Sequence, residues 1–101
     1  MSTWSIQLYT ARLNKKIEVM EGKLTDASDQ LDILEIGAES LGEIWQGQAY
    51  EEWRGELARC ILAGRAWIVE MRTLISFVRT AAEKLIATEQ KNRQIIEEIR
   101  V

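Results

Sequence analysis

Trp45-Gln46-Gly47 stands close to the middle of a 101-residue chain that holds no proline. Gly42, Gly47 and Gly55 gather within fourteen residues around it. A glycine inside a helix costs about 1 kcal/mol relative to alanine, so such a cluster marks where a helix stops most easily. The stretch predicts a bend between two helices. Gly47 is expected to take the special backbone conformation there, and Trp45 to plug the open end with apolar bulk. A connection of about 3 to 6 residues suits helices folded back on each other.

Working towards the N-terminus, Leu13, Ile17, Met20, Leu24, Ala27, Leu31, Leu34, Ala38, Leu41 and Trp45 follow one another in steps of four and three. A repeat averaging 3.5 residues keeps one stripe of a helix turned towards a partner helix. Ile6 and Tyr9 extend the stripe, and Ser2 or Thr3 supplies a cap. The expectation is a first helix over about residues 4–43 and a turn over about 44–48. Gly22 and Gly37 read as tolerated weak points in that helix.

Towards the C-terminus the same steps run through Trp53, Leu57, Cys60, Gly64, Trp67, Met71, Leu74, Val78, Ala81 and Leu85. A second row, Ile61, Ile68 and Ile75, runs beside it at intervals of seven. This apolar face is wider than one two-stranded seam requires. The reading gives the first helix the Trp53–Leu85 stripe, with Gly64 letting the backbones come close. It leaves the isoleucines, with Phe77 nearby, for another cover. Ile61, Trp67, Ile68 and Ile75 are accordingly expected to meet a second chain. The second helix spans about residues 49–98, and its tail, from Lys91 to Val101, has only Ile95, Ile96 and Ile99 as apolar anchors. The whole chain, residues 1–101, reads as a single all-α domain: a two-helix antiparallel hairpin that pairs into a dimeric four-helix bundle.

Composition narrows the function. The chain is 47% hydrophobic, more than a thin hairpin hides, which points to association. Thirteen Lys and Arg against sixteen Asp and Glu give a net charge of −3, which disfavours nucleic acid as a partner. The richest apolar stretch, from Cys60 to Val78, is broken by Arg65, Glu70 and Arg72, so no stable membrane insertion is expected. The first residues lack the apolar run of a cleavable signal peptide. Histidine is absent, and the one cysteine, Cys60, allows no intrachain disulfide. Carboxylate rows such as Glu18, Asp32 and Glu39 read as a solvated face. No catalytic, cofactor or metal site is expected, and the chain does not read as an enzyme. Arg65, Arg72 and Arg79 form a basic row beside the isoleucines. The first helix carries eight acids against four bases and the segment from Gln48 onward nine bases against eight acids, so complementary flanks can pair the helices, in one molecule or between two.

A chain of this length with two long helices and a central Trp45-Gln46-Gly47 resembles the WXG-hundred family, the ESAT-like proteins. The resemblance covers the whole chain as architecture, and as sequence it rests on that tripeptide and the flanking stripes. It implies a WxG turn, pairing as a homodimer or with a homologous WXG partner, and recognition by the ATPase of a type VII (ESX or Ess) secretion system. The protein is then cytoplasmic before export and secreted without a cleaved leader, acting by binding as effector, co-secreted partner or escort. The family's tail signal begins with a C-terminal tyrosine. Here the only tyrosines are Tyr9 and Tyr50. Leu85, Glu89 and Ile96 match a looser pattern of hydrophobic and acidic residues, with Asn92 departing from it. The other reading is a cytoplasmic coiled-coil adaptor in which the tripeptide is accidental.

Overall fold

The absence of proline lets each half of the chain run as one uninterrupted helix. A computed structural model describes the backbone of residues 3–100 and the side chains of residues 7–100. It consists of helix α1 (Thr3–Leu41) and helix α2 (Gln48–Arg100), joined by residues 42–47. No strand occurs among the described residues. The expected cap at Ser2 or Thr3 and the seam position Ile6 lie outside the described side chains. The tail continues α2 through Arg100, with every side chain of residues 91–100 exposed.

The chain divides into two compact units, one made of Met1–Met20 with Thr73–Val101 and the other of Glu21–Arg72. In each, a length of α1 lies against a length of α2. The unit that holds the connection buries Leu24 and Ala38 of α1 against Tyr50, Ile61 and Ile68 of α2. The other buries Thr10 and Ile17 with Ile75 and Ala82. On α1 these positions, with half-buried Leu31, form one row at intervals of seven. On α2, Ile61, Ile68, Ile75 and Ala82 do the same. Within each unit, heptad-spaced positions of the two helices meeting face to face make the seam of a coiled-coil pair. Each isoleucine taken out of water contributes about 1.5 to 3 kcal/mol.

That arrangement corrects the expected seam. Ile61, Ile68 and Ile75 do not wait for another cover: they are 4–5% exposed within the single chain. Of the stripe assigned to the first helix, only Leu57, Gly64 and Met71 are half-buried, while Cys60, Leu74, Val78, Ala81 and Leu85 are exposed. Trp53 is 38% and Trp67 54% exposed. The reason is steric. A Cβ placed on Gly64 would lie 3.2 Å from Leu31 Cδ1, so the leucine occupies the space a side chain would take. A seam this tight takes β-branched isoleucine in the adjoining row and leaves no room for a row of indoles. On α1 the same rotation leaves Met20 and Leu34, both expected in the seam, exposed.

Basic side chains on one flank of α2 reach acids on α1. Arg65 Nη2 donates to Asp32 Oδ1 at 2.7 Å and to Glu35 Oε2 at 3.0 Å. Arg72 Nη2 donates to Thr25 Oγ1 at 3.5 Å, and Arg54 lies 3.6 Å from Glu39. The complementary flanks read from the sequence thus meet within one chain.

Candidate functional site

The connection is built from tightened helical turns. The Gly42 amide is shared between the carbonyls of Ala38 (3.3 Å) and Glu39 (3.1 Å). The Glu43 and Ile44 amides then bond three residues back, to Ser40 (3.2 Å) and Leu41 (3.1 Å), while Trp45 N bonds to the Leu41 carbonyl at 2.9 Å. Narrowing of this kind satisfies the last carbonyls of a helix that can go no further. α1 therefore ends two residues before the expected boundary. Gly47 then takes φ +118°, a conformation that side-chain-bearing residues rarely adopt, and its carbonyl accepts the first α2 bond from Glu51 N at 3.1 Å. Gln48 Nε2 donates to Glu52 Oε1 at 3.2 Å on the first turn.

Tyr50 locks the two ends together. Its ring is buried, and its hydroxyl donates to the Ala38 carbonyl at 2.7 Å, twelve residues back in the chain. This contact explains Gly42: a Cβ there would stand 2.5 Å from the Tyr50 hydroxyl oxygen. Around Tyr50 stand Trp45, with ring centroids 5.4 Å apart and an edge-on geometry, and Trp53 at 6.0 Å. Trp45 and Trp53 are themselves 5.6 Å apart. Edge-on and tilted pairs at such separations are the favoured aromatic arrangements, worth about 0.5 to 1.5 kcal/mol each beyond burial. Both tryptophans keep 38% exposure, so the cluster has an inner face and an open one. The sequence reading assigned no task to Tyr50. Its position three residues after Gly47, on the first turn of α2, was the available signal.

Trp45, Gln46 and Gly47 all lie in the connection, where Gln46 is exposed. On α2, Leu85 and Ile96 are exposed and Glu89 is half-buried. Of the four residues expected to meet a second chain, Ile61, Ile68 and Ile75 are occupied in the intrachain seam, and Trp67 alone is open. The open row that the sequence reading placed inside is Trp53, Cys60, Trp67 and Leu74, again at intervals of seven. On the arginine flank a hollow of about 200 Å³ lies among Glu35, Arg54, Ala58, Ile61, Leu62 and Arg65. The Asp32 and Glu35 carboxylates hold the Arg65 guanidinium above its ordinary pKa, so this flank stays charged.

Among the described residues no three His, Cys, Asp or Glu side chains gather as a metal site would, and no helix is long and apolar enough to cross a membrane. No family model, no curated protein and no solved structure matches the chain.

Proposed function

We propose that this protein works by binding, as a helical hairpin that pairs with a second helical chain of its own kind. The observation that carries this reading is the uncovered row Trp53, Cys60 and Trp67 on α2. An apolar row at heptad intervals is what a helix presents to another helix. Area supports it in magnitude. The chain exposes 8017 Å² at 11.6 kDa, where a compact monomer of that mass exposes about 5,800 Å². The surplus, roughly 2,200 Å², is on the scale that each partner of a large, obligate dimer interface covers.

Within that reading, the chain is an ESAT-like protein exported as a folded pair by a type VII secretion system. Support comes from Trp45 and Gly47 standing in the connection between the two helices. The open face of Trp45 offers a secretion ATPase an aromatic surface. Leu85, Glu89 and Ile96 of the paired chain supply the tail half of the signal.

Two measurements test the two levels. Light scattering across a concentration series should give twice the 11.6 kDa chain mass. A constant chain mass would leave only a different chain as partner. In a host with an active type VII system, the unaltered protein should reach the medium and the Trp45→Ala and Gly47→Ala variants should not. Retention of the unaltered protein would sink the export reading and favour a cytoplasmic adaptor that uses the same α2 row.

A further inference from the structure

Basic side chains are used differently in the two units. In the unit that holds the connection, Arg54 and Arg65 are spent on Glu39, Asp32 and Glu35 of α1. In the other unit, Arg12, Lys15 and Lys16 of α1 are exposed and form no ion pair with a described residue. They line a hollow of about 460 Å³ together with Val19 and Met20, which are 56% and 44% exposed. One turn before Arg12, Leu8 and Tyr9 are 40% and 59% exposed.

These residues share one face of a single helix within a single unit. Leu8 and Val19 are eleven residues apart, close to three turns and about 16 Å, with Arg12 and Lys15 between them. Tyr9 and Met20 stand in the same relation on the side of Lys16. Thr10 and Ile17, buried in the seam, lie on the other side of the helix, with Ile17 about 160° round from Val19. The outward face therefore reads apolar, basic, apolar. Arginine and lysine stems add apolar surface to such a face while their charged heads stay in water.

We propose that this face docks an acidic amphipathic helix of another protein, whose central carboxylates meet Arg12, Lys15 and Lys16. Apolar side chains one turn to either side of those carboxylates settle on Leu8 with Tyr9 and on Val19 with Met20. An apolar face laid against an apolar face, with charges paired across it, is how helices recognise helices. Arg12 is suited to grip a carboxylate with two parallel hydrogen bonds. Charge complementarity selects this occupant. A polybasic membrane-binding cluster takes about four to eight bases, and this hollow has three. A flat bilayer also leaves a hollow unfilled, whereas a protruding side chain enters it. A second copy of the chain has Asp32, Glu35 and Glu39 already engaged by its own arginines. The site lies apart from the α2 row assigned to pairing, and it stands whether or not the chain pairs.

The test uses the full chain and a fluorescent synthetic helix with three central glutamates and a leucine pair one turn to either side. Anisotropy should show saturable binding at low salt. The same helix with glutamine for glutamate, or with serine for leucine, should bind about tenfold more weakly or worse. Arg12→Gln, Lys15→Gln and Lys16→Gln together should weaken binding of the first helix by a similar factor, and so should Val19→Ser with Met20→Ser. All five positions are exposed, and circular dichroism checks that helicity is kept. No binding by wild type, or equal binding of the serine helix, would overturn the proposal, the latter by showing charge attraction alone. Loss of self-association in the three-site variant, followed by light scattering, would overturn it in favour of a second copy on this face. Cosedimentation with phosphatidylglycerol vesicles but no binding of the helix would overturn it in favour of a membrane surface.

Discussion

Two rows of α2 are nearly alike on paper and opposite in fate. Ile61, Ile68, Ile75 and Ala82 are buried against α1, while Trp53, Cys60, Trp67 and Leu74 look outwards. Both repeat every seven residues and both are apolar, so hydrophobicity did not decide between them. Shape and flanking charge did. The isoleucines are slender enough for a seam in which Leu31 fills the space at Gly64. They also stand beside Arg65 and Arg72, whose partners Asp32, Glu35 and Thr25 lie on α1. A guanidinium flank that must reach acids on the facing helix fixes which way that helix is rotated. The tryptophan row has no such flank and stays exposed.

Substitution of neighbours in the two rows should separate them most widely. Ile68→Ala is expected to lower unfolding free energy by about 2 to 5 kcal/mol, because a 4%-exposed side chain is lost from the seam. Trp67→Ala, one residue away, should change the stability of the dilute chain by about 0.5 kcal/mol or less. Urea titrations followed by circular dichroism at low concentration measure both. Equal losses would erase the distinction between the rows.

The connection offers smaller effects that sharpen the same contrast, since it holds the helices in the rotation described. Gly47→Ala should cost about 1 to 3 kcal/mol through the φ of +118°, although a Cβ there meets nothing. A loss near zero would mean the backbone relaxes freely. Tyr50→Phe keeps the ring and removes the 2.7 Å bond to Ala38, so about 0.5 to 1.5 kcal/mol should be lost. Smallest should be Arg65→Gln, whose ion pairs are partly exposed to solvent and screened by salt. Its effect on melting should fall below that of Tyr50→Phe and vanish at high salt, and a larger loss would show that the flank does more than select rotation.

Much of this was legible in the residues, and what was not has a physical cause. The two helices and the break between them follow from periodicity, the lack of proline and the glycines around Trp45. Gly47 was expected to take a special backbone conformation, and the complementary flanks to pair in one molecule or between two. The choice of seam was not legible from spacing. In a helix with apolar residues in three adjoining heptad rows, every two neighbouring rows make an equally regular stripe. The stripe through Trp53, Cys60 and Trp67 keeps the four-and-three steps as regularly as one through Ile61 and Ile68 does. The arginine row beside Ile61 and Ile68, taken with the acids at 32 and 35, held the deciding information. Tyr50 was harder. Its partner is a backbone carbonyl twelve residues away, and such a contact leaves no mark in a periodic pattern.

The most direct test of the central claim is the reactivity of Cys60, which stands in the outward row and is exposed. Its rate of reaction with a thiol reagent in the native protein would be followed from high dilution upwards. The account predicts a rate near that of the unfolded chain at dilution, slowing as concentration rises and a second chain covers the row. Protection that persists at the lowest concentration would place Cys60 in the intrachain seam and contradict the rotation. A fast rate unchanged by concentration would contradict pairing through this row.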